Sequence, residues 1–427
     1  NTNFETETLN LDSRIKLALC YFRIHDYENA ELKFKELCKI ENADPIFYHY
    51  YGICLKNNKK YDLAKENFNK AKGVDSTHFY NNLYLESIDS LIIWDTNKVE
   101  IEVENISSIN SSLANYSPRY YKDGLLYCSE QLHDSLSERK HIDFYPIFED
   151  IENDVQKKII ETRIQDELTY GSDLSPRTSL LYVEVKSEDL FKTNALNNIP
   201  EESIDAEEIV AANKKINIGS YFLDSITGNI LYTNTVNTNT WTPDVNKHSI
   251  LYSAKLDKEK NRLKHKKIAK IKRLSSRYGS GDPTLSSDGN IMYFVSDKPG
   301  GEGGTDIYYV KKNNNGKWGK AINLGNQINT KGNEMSPFIY NDEILYFSSD
   351  GYVGYGGLDI FSAKIFEDSI ISAPEIFSFP LNSSADETYF SKHPTNEHLA
   401  VFTSNRFEGA GDDDIYLAYF SNISAYI

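Results

Sequence analysis

DGNIMYFVSDKPGGEGGTDIYYV, residues 288–310, returns twice: as NDEILYFSSDGYVGYGGLDIFSAK over 341–364 and as NEHLAVFTSNRFEGAGDDDIYLAY over 396–419. Ser296-Asp297 and Asp306-Ile307 recur 53 residues later as Ser349-Asp350 and Asp359-Ile360, then 55 residues later as Ser404-Asn405 and Asp414-Ile415. Each copy reads as an apolar alternating strand, a Gly-rich turn and a second strand. Such a unit cannot bury both faces alone and must stack on its neighbours. A period of about 50 residues with several strands per unit predicts a β-propeller.

Between the copies a second phrase repeats. Leu324-Gly325 leads to Ile328-Asn329-Thr330 and Asn333-Glu334, and Leu381-Asn382-Ser383 leads to Asp386-Glu387. An early version, Ile109-Asn110-Ser111-Ser112, precedes Ser117-Pro118. If the phrase links an outer strand to the next inner strand, VEIEVENI at 99–106 is an outer strand that completes the last blade and closes the ring, removing both sheet edges. The competing assignment gives the closing strand to 423–427. Inner strands are expected near Ser117, Gly219, Asp282, Ser336 and Glu387, making five blades; a count of six would put another between 130 and 218. Ser179 and the run 180–185 read as the third strand of the first blade, displaced by an insertion near 130–178. A second, acidic insertion near 192–213 lacks apolar periodicity.

Residues 11–93 read as helices, near 11–24, 27–40, 45–57, 61–72 and 77–93. Tyr27, Ala30 and Phe34 return 34 residues later as Tyr61, Ala64 and Phe68, and Ala18 and Cys20 return as Gly52 and Cys54. This predicts a tetratricopeptide pair with a capping helix. The fold class expected is therefore α+β multidomain: a short tetratricopeptide domain over 1–97, then an all-β propeller over 98–427. A helical groove would take a peptide or protein, with Tyr48, Tyr50 and Tyr51 as candidate groove or core residues; the blander role is a spacer.

The composition narrows the function. A net charge of −17 argues against nucleic acid and anionic membranes. Thirty Tyr and 21 Phe can furnish a large core of half-wet strands. Cys20, Cys38, Cys54 and Cys128 form no CxxC and read as small buried hydrophobes. No apolar run reaches the ~18 residues of a membrane helix, and no signal peptide stands at Asn1. Asp306, Asp359 and Asp414 sit where a Gly-rich turn enters a strand. A carboxylate there holds the turn through backbone N–H groups; the alternative, a cation ligand near Asp412 and Asp413, lacks the acidic ladder of a calcium loop. Gly300, Gly301, Gly303 and Gly304 precede a strand rather than a helix, so they read as turns needing φ > 0, not a phosphate cradle. The basic run 255–273, with Lys264, Lys266, Lys267 and Lys270, is either a solvated strand and linker or a dock for an acidic partner. No G-x-S-x-G, no HExxH and no metal-spaced histidines appear, so neither an enzyme nor a cofactor is expected. Trp241 and Trp318 could stack on sugars if the ring mouth binds a glycan or small ligand.

The order of segments is itself informative: helical repeats, then SPRYYKDGLLY, YFVSDKPGGEGGTDIYYV, LGNQINTKGNEMSPF, LYFSSDGYVGYGGLDIF and TSNRFEGAGDDDIY. The chain resembles the OmpA-family peptidoglycan-associated lipoproteins of Bacteroidota, in which helical repeats and a TolB-like, WD-repeat-like propeller precede an OmpA-like domain. The family's lipobox cysteine and OmpA-like domain have no counterpart in these residues, so peptidoglycan binding transfers to none of them. The resemblance implies a periplasmic protein held at the outer membrane. It also implies type IX secretion or gliding machinery and, as partner, an outer-membrane β-barrel protein of the PorP/SprF type or a secreted adhesin.

Overall fold

The computed structural model describes residues 10–73, 78–94, 101–121, 124–131, 177–184, 207–210, 218–224, 227–237, 247–257, 262–263, 269–271, 274, 278–366, 369–370, 372–407 and 409–421. The described residues fall into two compact units, one helical and one built of β-sheets.

Among the described residues the first unit holds five α-helices: α1 (Leu11–Arg23), α2 (Tyr27–Leu37), α3 (Pro45–Asn57), α4 (Tyr61–Lys70) and α5 (His78–Trp94). Their starts are written in the sequence. Asn10 accepts from Ser13 N at 2.9 Å, Asp26 from Asn29 N at 3.1 Å, and Asp44 from Ile46 N at 3.0 Å with Pro45 in the first turn. Helices α1 and α3 both end into a residue with φ of +59°, His25 and Lys59, the left-handed stop that releases the chain from a helix. Those residues are 34 apart, the period read from the sequence. Helices α2 and α4 end at Leu37 and Lys70, short of the expected 40 and 72, and 71–73 tighten into a 3₁₀ turn. Ala30, Phe34, Ala64 and Phe68 are fully buried. At Gly52 a Cβ would stand 2.7 Å from the Phe68 ring, so the missing side chain lets α3 and α4 meet.

The sheet unit opens with β1 (Ile101–Asn105). The first sheet follows: β2 (Asn115–Tyr121), β3 (Gly124–Gln131), β4 (Arg177–Glu184) and β5 (Glu207–Val210). The second holds β6 (Ile218–Leu223), β7 (Asn229–Asn237), β8 (Lys247–Asp257), β9 (Arg262–Leu263) and β10 (Ala269–Lys270). The third holds β11 (Gly281–Leu285), β12 (Ile291–Ser296), β13 (Asp306–Lys311) and β14 (Ile322–Asn323). The fourth holds β15 (Glu334–Tyr340), β16 (Ile344–Ser349), β17 (Asp359–Phe366), β18 (Ser369–Ile370) and β19 (Glu375–Ile376). The fifth holds β20 (Glu387–Lys392), β21 (Leu399–Ser404) and β22 (Asp414–Phe420), and β1 is its outer strand, antiparallel to β22 from Ile101↔Phe420 to Asn105↔Tyr416. The closing strand read at 99–106 is thus found; 423–427 lie outside the described residues.

The arrangement is propeller-like. The innermost strands pack in a cycle: β2 on β6, β6 on β11, β11 on β15, β15 on β20, and β20 on β2. Two expectations about insertions are corrected. Residues 130–131 and 177–178 belong to β3 and β4, and Glu207–Val210, inside the supposed acidic insertion, pair with β4 as a fourth strand. Backbone pairing at an outer edge needs no apolar pattern, which is why four residues with two glutamates escaped the periodicity test.

The core lies between successive sheets. Leu345 and Phe347 face the third sheet with Val295, Ile307 and Tyr309, while Tyr346 faces the fifth with Phe390, Phe402 and Tyr416. A sheet sandwiched on both sides needs apolar residues on both. The middle strands therefore read as continuous runs such as ILYF, with β12 and β16 buried almost throughout, rather than as the alternation expected.

Candidate functional site

The repeated polar residues meet at the junctions between sheets. In the linker, Asn329 accepts from Ile307 N at 2.8 Å and donates to Ile307 O at 3.0 Å. Asn382 does the same to Ile360, at 2.7 and 2.9 Å. Asn110 does it to Ile415, 305 residues away, at 2.8 and 2.9 Å. A carboxamide presents one donor and one acceptor side by side, so it can satisfy one residue's N–H and C=O together, as a neighbouring strand would.

The three predicted aspartates open the third strands of their sheets, opposite Ser296, Ser349 and Ser404. Asp306 accepts from Glu302 N at 2.9 Å, Gly303 N at 3.2 Å and Asn323 Nδ2 at 3.0 Å. Asp359 accepts from Gly356 N at 3.1 Å. Asp414 accepts from Ala410 N and from Asn105 Nδ2, the latter at 3.1 Å, and burial pushes its carboxyl above the usual range. Among the described residues no cluster of three His, Cys, Asp or Glu side chains could hold a metal ion.

The glycine reading needs correction. Only Gly300 of the four has φ > 0, at +90°. The others are glycine for want of space. A Cβ on Gly301, Gly354 or Gly409 would overlap the carboxylate of Asp306, Asp359 or Asp414. A Cβ on Gly303, Gly356 or Gly411 would overlap carbonyl oxygens of the following linker. Sequence reasoning found the positions and misassigned the cause.

Sequence reasoning missed a second cluster, at the ring's axis. Every inner strand slips register near its start, and Ser117, Asp282, Ser336 and Tyr389 occupy matching bulge positions with φ of +58°, +49°, +52° and +52°. Non-glycine residues rarely adopt this conformation, a bulky Tyr least of all, so the strain points to an over-determined site. Asp282 of the third sheet accepts from Ser336 N of the fourth at 3.0 Å and Tyr389 Oη of the fifth at 3.4 Å. Arg119 of the first sheet donates from Nη1 to Phe390 O of the fifth at 3.0 Å and lies 4.7 Å over the Phe338 ring of the fourth. Tyr221 of the second sheet donates to Leu126 O of the first. The contacts of Asp282 with Tyr389 and of Arg119 with Phe338 run between non-adjacent sheets, which places those side chains at the axis. Arg119 is buried, and burial draws its guanidinium down to about 10. The signal that could have revealed this cluster was the SPR, DPT and SPF triplets at 117–119, 282–284 and 336–338, which mark equivalent strand starts.

The remaining candidates lie elsewhere. Tyr50 is half-buried, stacked on Phe34 at 5.3 Å and edge-on to Phe22 at 4.9 Å. Tyr48 donates to Cys38 O at 3.1 Å beneath the Lys70 ammonium. Tyr51 is half-buried, and burial followed by the charge of Glu31 raises its hydroxyl pKa. Lys264, Lys266, Lys267 and Trp241 lie outside the described residues; Lys270 pairs with Tyr252 in β10. Trp318 is half-buried, with Lys312 Nζ 4.8 Å from its ring centre. Cys54 and Cys128 are buried, but Cys20 and Cys38 are only half-buried.

No family model and no curated relative matches the chain. Solved structures similar to it include TolB from Acinetobacter baumannii, at 12% identity over 75% of this chain and 70% of that one, TM-score 0.32. A protein of unknown function from Dyadobacter fermentans is 9% identical over 74% and 99%, TM-score 0.38. An α-L-arabinofuranosidase from Lactobacillus brevis is 10% identical over 73% and 92%, TM-score 0.41. These likenesses are too distant to carry an argument about activity. Among the described residues no helix is long and apolar enough to cross a membrane, which says nothing of a β-barrel.

Proposed function

We propose that this chain is a non-catalytic scaffold of the periplasm, with a tetratricopeptide pair over 1–97 and a five-bladed propeller over 98–427. In this reading Asp306, Asp359 and Asp414 hold turns. One observation carries it: the recurring asparagines Asn329, Asn382 and Asn110 pin each linker, on its way to the next sheet, to the sheet it leaves. That is the economy of a rigid presenting surface. At the axis the carboxylate of Asp282 likewise ties sheets together, accepting from Ser336 N and Tyr389 Oη.

The partner proposed is an outer-membrane β-barrel protein of the PorP/SprF type or a secreted adhesin, within type IX secretion or gliding machinery, with the chain attached to the outer membrane. This rests on the family resemblance of the sequence. Affinity purification of the tagged chain from envelope extracts should recover a barrel protein. A chain that fractionates alone with the cytoplasm would overturn the reading.

A further inference from the structure

We propose that the axis of the ring binds a small carboxylate, held by Arg119, Ser117 and Ser336. The side chains of all three are buried and carry a polar atom without a hydrogen-bond partner: Arg119 Nε, Ser117 Oγ and Ser336 Oγ. Buried polar groups are nearly always paired; a fourth inner-strand orphan, Tyr120 Oη, lies apart, packed on His393 and the cluster with Leu125 and Leu399, and the other three call for a common explanation. A guanidinium can only donate, and a serine hydroxyl can donate. Arg119 Nε therefore needs an acceptor, and both hydroxyls can donate to the same group.

The charge points the same way. Arg119 makes no ion pair among the described residues, and Asp282, which acts on it through space, has its oxygens turned to Ser336 N and Tyr389 Oη. A buried cation without a bound counter-charge is costly, and an anionic ligand relieves that cost. With Phe338 packed against its face, the guanidinium keeps its edge for the planar, two-oxygen geometry of a carboxylate. The nearby Asp282 charge disfavours a dianion such as phosphate. Tyr116, Asp282 and Tyr389 are only half-buried, so the cluster reaches solvent on their side. The site does not depend on the scaffold role or on its partner.

The test titrates acetate into the full chain at constant ionic strength and follows saturation-transfer NMR, with methylammonium and inorganic phosphate as comparisons. Acetate should bind saturably and methylammonium should not. R119K keeps the charge and removes the fork, and should weaken acetate at least tenfold. The double variant S117A/S336A should also weaken it, while its melting temperature without ligand stays level or rises, because two buried orphan hydroxyls are gone. No saturable acetate signal overturns the proposal, as does unchanged affinity in both variants or tighter binding of phosphate. Should R119K fail to fold, the serine pair decides.

Discussion

The junction between the third and fourth sheets and the one between the fourth and fifth share a plan, to which the second adds an arginine. Each seats a fully buried glutamate at the start of an inner strand. Glu334 accepts from Thr330 N, Thr330 Oγ1 and Ser349 Oγ at 2.9, 2.6 and 2.7 Å. Glu387 accepts from Ser383 N, Ser383 Oγ and Ser404 Oγ at 2.8, 2.6 and 2.8 Å. Two residues beyond the second serine stands Gly351 in one case and Arg406 in the other. Arg406 donates to Glu387 at 3.1 Å and to Pro380 O and Leu381 O, with its guanidinium over the Phe402 and Tyr416 rings. Burial pushes both carboxyls up, and at Glu387 the Arg406 charge opposes it. Hydroxyl and amide donors are thus enough to seat a buried carboxyl; the arginine adds a charge that depends on it.

That difference gives the largest expected effect. E387Q strands Arg406 in a mostly buried site and should cost about 3 kcal/mol, the lower end for breaking a buried pair. E334Q removes only neutral-donor bonds and should cost about 1 kcal/mol near pH 7. Urea melts of the two variants measure the gap. Equal costs would mean that Arg406 finds water once Glu387 is neutral.

Glycine substitutions sharpen what the junctions share. G303A, G356A and G411A each force a methyl against carbonyl oxygens of the following linker, and should cost about 1–3 kcal/mol, as overpacking does. G300A meets no atom within 4 Å and strains only its backbone, φ +90°; about 1 kcal/mol is expected. A G300A as damaging as G356A would show that the loop's conformation, not its closeness to the next sheet, decides.

The junctions were legible in outline because they repeat. Spacings of 53 and 55 residues marked the aspartates, a spacing of 53 marked two linker asparagines, and the early copy of the linker phrase marked the closing strand, since equal positions in stacked sheets meet equal surroundings. The axial cluster was harder to read, because it is assembled from one bulge residue of each sheet and only two of the five share an identity: Ser117, Gly219, Asp282, Ser336 and Tyr389. Repetition reveals what every unit needs and hides what the ring makes once. The role of Tyr50 was left open for a related reason. A half-buried tyrosine on α3 satisfies core and groove patterns alike, and its packing on the Phe22 and Phe34 rings is a long-range contact that spacing does not announce.

Acidity gives a smaller, signed effect at Glu334. Its folded pKa is raised by burial, first of all, above the unfolded value of roughly 4.3. A carboxyl raised on folding favours the protonated native state. Its contribution is therefore fully present below the unfolded pKa and is lost as pH rises through the folded one. Measured from pH 3.5 upward, the stability of wild type relative to E334Q should fall through that window and then level off. A relative stability that rises instead would show the ionised carboxylate to be the form the hydroxyls hold.

The smallest effect tests whether charge placement matters at all. Asn333 bonds Asp350 twice, from its N to Oδ1 at 2.6 Å and from Nδ2 to Oδ2 at 3.0 Å. One junction later the identities are exchanged: Asp386 N donates to Asn405 Oδ1 at 2.8 Å, and Asn405 Nδ2 donates to Asp386 Oδ2 at 3.0 Å. In both, the first residue's Oδ1 also accepts a backbone N–H, from Thr305 or Leu358. The geometry requires one amide and one carboxylate but not a particular order. N333D alone sets two carboxylates face to face and should cost about 1 kcal/mol through the lost donor and the repulsion. Adding D350N recreates the arrangement of the next junction and should recover most of that loss, a coupling a double-mutant cycle reads directly. A double variant no better than N333D would mean that the charge at 350 answers to a group the neighbouring junction lacks.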